Sequence, residues 1–354
     1  MKIHNYSAGP CILPQEVFEE ASQSVLNFQN SGLSILEMSH RSKEFVAVMD
    51  EALALVKEVL GVPEGYDVVF LQGGASLGFS ITAFNFLKKH ASYINTGTWS
   101  TKAIKEAKRL GEVDVIASSE SENFNFIPKN YQVNSKTDYL HFTSNNTIFG
   151  TQFKELPKTS APLICDMSSD IFSKKINVSD FDMIYAGAQK NLGPAGATLY
   201  IVKKGTLGKT PHNIPVMLDL VPQIEKESMY NTPPVFSVYV SMLTLRWLKK
   251  NGGISWIEKR NEEKANLIYN EIERNGLFKA SAAPEDRSNM NATFLLHDES
   301  HKEAFDKMWN AAGVSGIKGH RSVGGYRASM YNALPTSSVQ VLVDVMKELE
   351  RTKG

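Results

Sequence analysis

The sequence predicts an α/β protein in two parts: a doubly wound, mostly parallel sheet in a large domain over residues 16–257, and a smaller α+β domain built from residues 1–15 and 258–354. Two observations carry this reading. Through the first part, short apolar or β-branched runs alternate with segments of helical period, and strands apolar on both faces belong in parallel sheets covered by helices on either side. Past Arg274 the alternation loosens into longer helices flanking one strand and a glycine-rich stretch.

Between Ser42 and Gly61, Phe45, Val48, Met49, Ala52, Leu53, Val56, Val59 and Leu60 recur at helical spacing, with Ser as a starting cap and Gly then Pro63 as the stop. Asp67–Leu71 reads as a strand ended by Gly73-Gly74, and Leu77–Leu87 as the next helix. Tyr93–Asn95 is a strand before a helix over Thr101–Leu110, with Trp99 just ahead of it. Tyr139–Thr143, Pro162–Cys165 and Met183–Ala186 are further strands, and Asn231-Thr232-Pro233-Pro234 is an ordered loop. A mixed-charge helix at Trp256–Arg274 leads to a strand at Asn291–Leu296, a helix near His301–Ala312, a strand region within 316–329 and a last helix at Ser337–Arg351.

The 354 residues, 42% of them apolar, can bury a sizeable core. Lys plus Arg and Asp plus Glu both number 38, with no block of five like charges, which argues against nucleic acid or a membrane surface as partner. Cys11 and Cys165 form no C-x-x-C pair, so a reducing compartment fits. Neither a signal-peptide core nor an apolar run of about 18 residues is present, and the expectation is a soluble, cytoplasmic protein.

In an open parallel sheet, ligands sit beyond the carboxyl ends of the strands, which is where reactive side chains are sought. Lys190 follows the strand at Met183–Ala186 among small residues, Gly187-Ala188 before it and Gly193-Pro194-Ala195-Gly196 after it. A desolvated Lys loses its proton readily and becomes a nucleophilic amine able to form a Schiff base. The plainer alternative is an exposed Lys on a loop. Asp166 ends another apolar strand, where it could face a cofactor's pyridine nitrogen or simply cap a turn. Gly73-Gly74-Ala75-Ser76 links strand to helix, which makes either a phosphate cradle at a helix N-terminus or an ordinary tight turn. Trp99 could lie flat on an aromatic cofactor or pack in the core. His40-Arg41 and His320-Arg321 with Arg327 could read anions bidentately or form surface ion pairs.

Rival chemistries are weaker. Gly74-Ala75-Ser76-Leu77-Gly78 matches the G-x-S-x-G nucleophile elbow, so a serine hydrolase is the runner-up, although it leaves Lys190 and Trp99 without a role. His297 and His301 have the spacing of a zinc pair, but Asp298 stands where H-E-x-x-H needs Glu, and no metal is expected.

Longer segments carry a resemblance. They are Asn5-Tyr6-Ser7-Ala8-Gly9-Pro10, Glu37-Met38-Ser39-His40-Arg41-Ser42, Gln72-Gly73-Gly74-Ala75, Tyr185 through Gly196, Lys318-Gly319-His320-Arg321, and Gly324-Gly325-Tyr326-Arg327-Ala328-Ser329. Over nearly its whole length the chain resembles the phosphoserine aminotransferase family, a branch of the class-V, fold type I enzymes that use pyridoxal 5'-phosphate. The resemblance implies the PLP-dependent transferase fold type I. It also implies amino transfer between L-glutamate and a phosphorylated 2-oxo acid, 3-phosphohydroxypyruvate, with a related use in pyridoxine synthesis. By the same resemblance Lys190 carries the cofactor, Asp166 pairs with its ring nitrogen and Trp99 stacks on the ring. Ala75, Ser76, Thr147 and Gln189 complete the cofactor pocket, with Asn231 and Thr232 reaching the phosphate from the other subunit of a homodimer. Arg327 takes the substrate α-carboxylate, and His40, Arg41, His320 and Arg321 take the second anionic group. Some members carry Arg at the place of Ser76, so this chain has one cation fewer there.

Overall fold

The protein is described by a computed structural model covering residues 2–353. A seven-stranded sheet forms its centre, built from β2 (Tyr66–Gly73), β3 (His90–Asn95), β4 (Glu112–Ser118), β5 (Leu140–Thr143), β8 (Leu163–Asp166), β9 (Met183–Gly187) and β10 (Gly196–Lys203). Outside it, β1 (His4–Asn5) precedes these strands, and the short pair β6 (Asn145–Asn146) and β7 (Thr151–Gln152) lies between β5 and β8. The spatial order is β2-β10-β9-β8-β5-β3-β4. Five neighbours from β9 to β4 run parallel, and β10 alone is antiparallel to both β9 and β2. Because β10 is reversed, β2 points the same way as β9, and six strands end on one edge of the sheet.

Helices cover both faces. On one lie α1 (Gln15–Leu26), α2 (Lys43–Leu60) and α6 (Val235–Lys250), packed with Phe70, Phe142, Ile184 and Leu199. On the other, α3 (Ala75–Phe86), α4 (Thr98–Ala107) and α5 (Leu220–Glu225) pack with Val69, Tyr93, Tyr185 and Tyr200. Adjacent residues such as Ile184 and Tyr185 go to opposite faces, as the two-residue period of a strand requires. Helix α2 shows how local sequence sets the bounds. The Ser42 hydroxyl accepts from the Phe45 amide at 3.3 Å, Gly61 ends the helix at φ 62°, and Phe45, Met49 and Val56 are fully buried. Each such burial contributes about 1.5–3 kcal/mol.

The chain then enters α7 (Gly253–Arg274), followed by β11 (Phe278–Ala280), β12 (Asn291–Leu296), α8 (Lys302–Ala311), β13 (Val314–Ser315), β14 (Tyr326–Ser329) and α9 (Thr336–Lys353). The antiparallel sheet β11-β12-β14 and these helices enclose a separate apolar cluster containing Phe278, Phe294, Phe305, Leu342 and Met346. Tyr6 belongs to it, because β1 pairs with β13.

The doubly wound, mostly parallel sheet and the α+β C-terminal part agree with the sequence expectation. Strands β4 and β10 and helices α1 and α6 are additions to it. The helix expected over Thr101–Leu110 runs from Thr98 to Ala107 instead, so Trp99 sits inside its first turn. Ser100 explains the earlier start: its Oγ accepts from the amides of Thr96 and Gly97, both at 3.0 Å, satisfying donors that a helix N-terminus leaves open. Within 316–329 only Tyr326–Ser329 is a strand; the glycines before it form a turn in which a Cβ on Gly319 would lie 1.9 Å from the Gly324 carbonyl oxygen.

Candidate active site

The carboxyl ends of β2, β3, β5, β8 and β9 each deliver one part of a single site. After β9 the chain runs Ala188-Gln189-Lys190, and the Lys190 side chain is buried against the strand ends. Its Nζ donates to Thr147 Oγ1 at 2.7 Å and to Ser169 Oγ at 3.0 Å, while those two hydroxyls bond each other at 2.7 Å. Burial pulls the Lys190 pKa down to about 8, with nearby Asp166 opposing that shift and Arg327 adding to it. The amine is thereby partly neutral near physiological pH.

Asp166 ends β8 and is nearly inaccessible. One oxygen, Oδ1, accepts from the Ser168 amide at 2.9 Å and from Ser168 Oγ at 2.6 Å, and Ser168 Oγ accepts in turn from the Gly187 amide at 3.1 Å. Burial raises the Asp166 pKa, and the Ser168 bonds pull the other way. The arrangement fixes the orientation of a buried carboxylate that the Lys190 charge helps to keep ionised. Behind it, Asp170 is equally buried and takes bonds from Ser144 and, at 3.1 Å, from Gln152 Nε2.

Beyond β3, Trp99 presents its ring to the same space, with Lys190 Nζ 6.0 Å from the ring centroid. The indole nitrogen is buried and has no hydrogen-bond partner among the described residues. Beyond β2, α3 starts at Ala75 with no side-chain cap; the Leu77 amide bonds back to the Gly74 carbonyl at 2.8 Å, and among the described residues the Ala75 and Ser76 amides have no bond, as an anion at a helix N-terminus would require. Helix α3 can approach this closely because Gly78 has no side chain; a Cβ there would fall 2.7 Å from the Tyr185 ring.

Arg327 comes from β14 of the C-terminal part and reaches the Thr147 carbonyl with Nη1 at 3.5 Å, while its Nε is buried and unpartnered. Burial works against its charge, as it does for His320. The C-terminal part is locked to the lysine loop: the Asn332 amide donates to Asn191 Oδ1 at 3.0 Å, and Asn191 Nδ2 donates to the Ser169 and Ile171 carbonyls.

Thus Lys190, Thr147, Asp166, Trp99, Ala75 and Arg327 converge from distant parts of the chain. Gln189 is half-buried beside them, and its carbonyl accepts from the Cys11 amide at 3.1 Å. His320 and Arg321 lie in the turn before β14, whose Val323 packs against the same apolar cluster, Phe124, Ile148 and Phe149, as Trp99 does. Four residues stay outside this cluster. His40 and Arg41 lie in the turn before α2, and Asn231 and Thr232 in the loop before α6, where the Thr232 carbonyl takes a bond from the Gln72 side chain. Ser168 and Ser169 were not singled out from the sequence, although they come two and three residues after Asp166 at a strand end, the position already used to find it.

The hydrolase alternative finds no support. Ser76 is exposed on the first turn of α3, and among the described residues no imidazole bonds its hydroxyl. Its Gly78 serves helix packing rather than a nucleophile elbow.

Comparison with known proteins agrees with this geometry. The family model for aminotransferase class-V matches residues 3–342. The chain is 65% identical to a phosphoserine aminotransferase of Flavobacterium psychrophilum and 62% identical to that of Flavobacterium johnsoniae, each over 99% of both chains. Among solved structures, the phosphoserine aminotransferase from Bacillus circulans subsp. alkalophilus superposes with a TM-score of 0.96 at 44% identity, covering 100% of this chain and 99% of that one. A PLP-bound phosphoserine aminotransferase from Trichomonas vaginalis gives 0.93 at 36% identity, covering 98% of this chain and 100% of that one. A buried, partly neutral lysine at the strand ends, facing an indole and backed by a carboxylate, on a chain matched along nearly its whole length, places this protein in the class-V aminotransferase family.

Proposed function

We propose that the protein is a homodimeric, pyridoxal-phosphate-dependent aminotransferase that moves the amino group of L-glutamate to 3-phosphohydroxypyruvate. The products are O-phospho-L-serine and 2-oxoglutarate, a step of L-serine biosynthesis. The observation that carries this reading is Lys190, a buried amine lowered to about 8 and held between Thr147 and Ser169 opposite Trp99.

The residues present fit the cofactor. Asp166 is buried, with no ion pair to it among the described residues and only the more distant Lys190 charge favouring its ionised form, and a protonated ring nitrogen would supply a direct partner. The open amides of α3 suit a phosphate, and Trp99 offers a flat apolar face. When bound, pyridoxal phosphate supplies the electron sink that makes a substrate Cα–H bond acidic. Lys190 Nζ would hold the cofactor, would be released when the substrate amine takes its place, and as a free amine would then carry the proton away from the substrate Cα, for which a pKa near working pH is suited. Thr147 and Ser169 orient that amine. Asp166 keeps the ring-nitrogen proton in place, Arg327 grips the substrate α-carboxylate, and His40, Arg41, His320 and Arg321 receive the side-chain carboxylate or phosphate.

Asn231 and Thr232 lie apart from Lys190 in one chain, and a second copy would bring them to the phosphate. In support, large apolar side chains are exposed on the segments that carry these residues, His40 and Ser76: Leu36, Leu77 and Tyr230. We also propose a large domain over 16–257 and a small one from 1–15 and 258–354, matching the separate apolar clusters.

Initial rates measured over a grid of glutamate and 3-phosphohydroxypyruvate concentrations test the reaction. Parallel double-reciprocal lines are expected, because glutamate's product leaves before the second acid binds; intersecting lines contradict the scheme.

A further inference from the structure

Lys102 has no part in the scheme above. It stands one helical turn after Trp99 on α4, exposed, with its Nζ 4.6 Å from the Trp99 ring centroid. The indole holds the ammonium by the attraction of a cation for a ring face, which costs Lys102 none of its three donors. Trp99 and Val323 both pack against the apolar cluster of Phe124, Ile148 and Phe149, and Val323 ends the turn that carries His320 and Arg321. His320 accordingly feels Lys102 as well as Arg321 and Arg327, all of which add to the lowering of its pKa by burial. Lys102 and Lys190 thus both lie near the Trp99 ring, and the charges of Lys102, Arg321 and Arg327 all act on His320. Among the described residues, none of Lys102, Arg321 and Arg327 has a carboxylate partner.

We infer that Lys102 is a specificity-determining residue, the cation that favours a phosphorylated substrate over a carboxylate one at the Trp99 mouth. The inference rests on the substrate reading above. Its basis is a count of charges and donors. With Arg327 assigned to the α-carboxylate, His320 and Arg321 remain in this chain's turn. His320 is held toward its neutral form, and its Nδ1 is engaged with Ser322 Oγ at 2.6 Å. Arg321 alone can match a carboxylate with its two-pronged fork. A phosphate monoester brings three acceptor oxygens and nearly two negative charges, so a further full cation gains more from it than from glutamate. Lys102 is that cation.

The test uses holoenzyme in single-turnover titrations with O-phospho-L-serine and, separately, with L-glutamate, which give an apparent Kd and a limiting rate for each. Lys102→Met keeps the apolar stem over Trp99 and removes the charge. It is expected to weaken phosphoserine binding about tenfold and glutamate binding less than about threefold, with limiting rates unchanged. Lys102→Arg should restore phosphoserine binding. Unchanged phosphoserine binding in Lys102→Met overturns the inference, as does an equal weakening for both substrates or a fall in limiting rate that Lys102→Arg shares, since each would mean that Lys102 only supports Trp99. A wild-type protein that reacts with glutamate but not with phosphoserine overturns the substrate reading, and this inference with it.

Discussion

Lys190 works because burial lowers its proton affinity while residues remote in sequence hold and oppose its charge. The hydroxyls of Thr147 and Ser169 orient it, and burial sets its pKa near 8 against the opposing pull of Asp166. Only the neutral amine attacks an aldehyde, so in cofactor-free protein the rate of pyridoxal phosphate capture should climb as pH rises toward about 8 and level off above it. Following the visible absorbance after mixing checks this; a rate still climbing toward pH ~10 would show an ordinary, solvated lysine. Lys190→Ala should lower turnover by at least about four orders of magnitude while some cofactor uptake persists, and steady-state assays with a cofactor-binding measurement separate the two. Lys190 and Asp166 were legible in the sequence because each follows an apolar strand. The hydroxyl pair was not: Thr147 follows β5 and Ser169 follows β8, and only the adjacency of those strands brings them together.

At the scale of elements, the site depends on how closely α3 lies on β9. Gly78 allows that approach, and a methyl group there would meet the Tyr185 ring at 2.7 Å. Gly78→Ala should therefore push the start of α3 outward, costing about 1–3 kcal/mol of stability and weakening cofactor binding together. Thermal melting with and without pyridoxal phosphate reads both; a melting temperature and cofactor affinity equal to wild type would show that the ring simply moves aside. Sequence pattern located α3, but it could not assign Gly78 to packing, since the same five residues spell a nucleophile motif. It also left out β10, whose apolar residues follow the lysine loop and pair on both sides against the direction of the neighbouring strands. Periodicity marks a strand's existence and says nothing of its direction. The earlier start of α4 has a similar origin, because it depends on a bond from Ser100 back to the preceding turn.

Across the whole molecule, the site is shared between parts that pack around separate cores. Arg327 and the turn at His320 come from the C-terminal sheet, and Asn332 and Asn191 fasten that part to the lysine loop. The proposed dimer divides the site again and has a sharp consequence. Mixing inactive Lys190→Ala with a weakened Asn231→Ala/Thr232→Ala double variant under exchange conditions should restore roughly a quarter of wild-type activity, because half of the dimers then hold one intact site of two. No gain on mixing would place every cofactor contact within a single chain. The fold class was legible because buried strands and helices alternate in the sequence; contacts between two copies leave no such period, and only the resemblance pointed to them. The most direct test of the central claim is the absorption spectrum of the purified protein loaded with pyridoxal phosphate, recorded before and after O-phospho-L-serine, with L-serine as control. The account predicts a visible band from Lys190-bound cofactor that phosphoserine removes and serine leaves; a protein that shows no such band, or whose band phosphoserine leaves untouched, would contradict it.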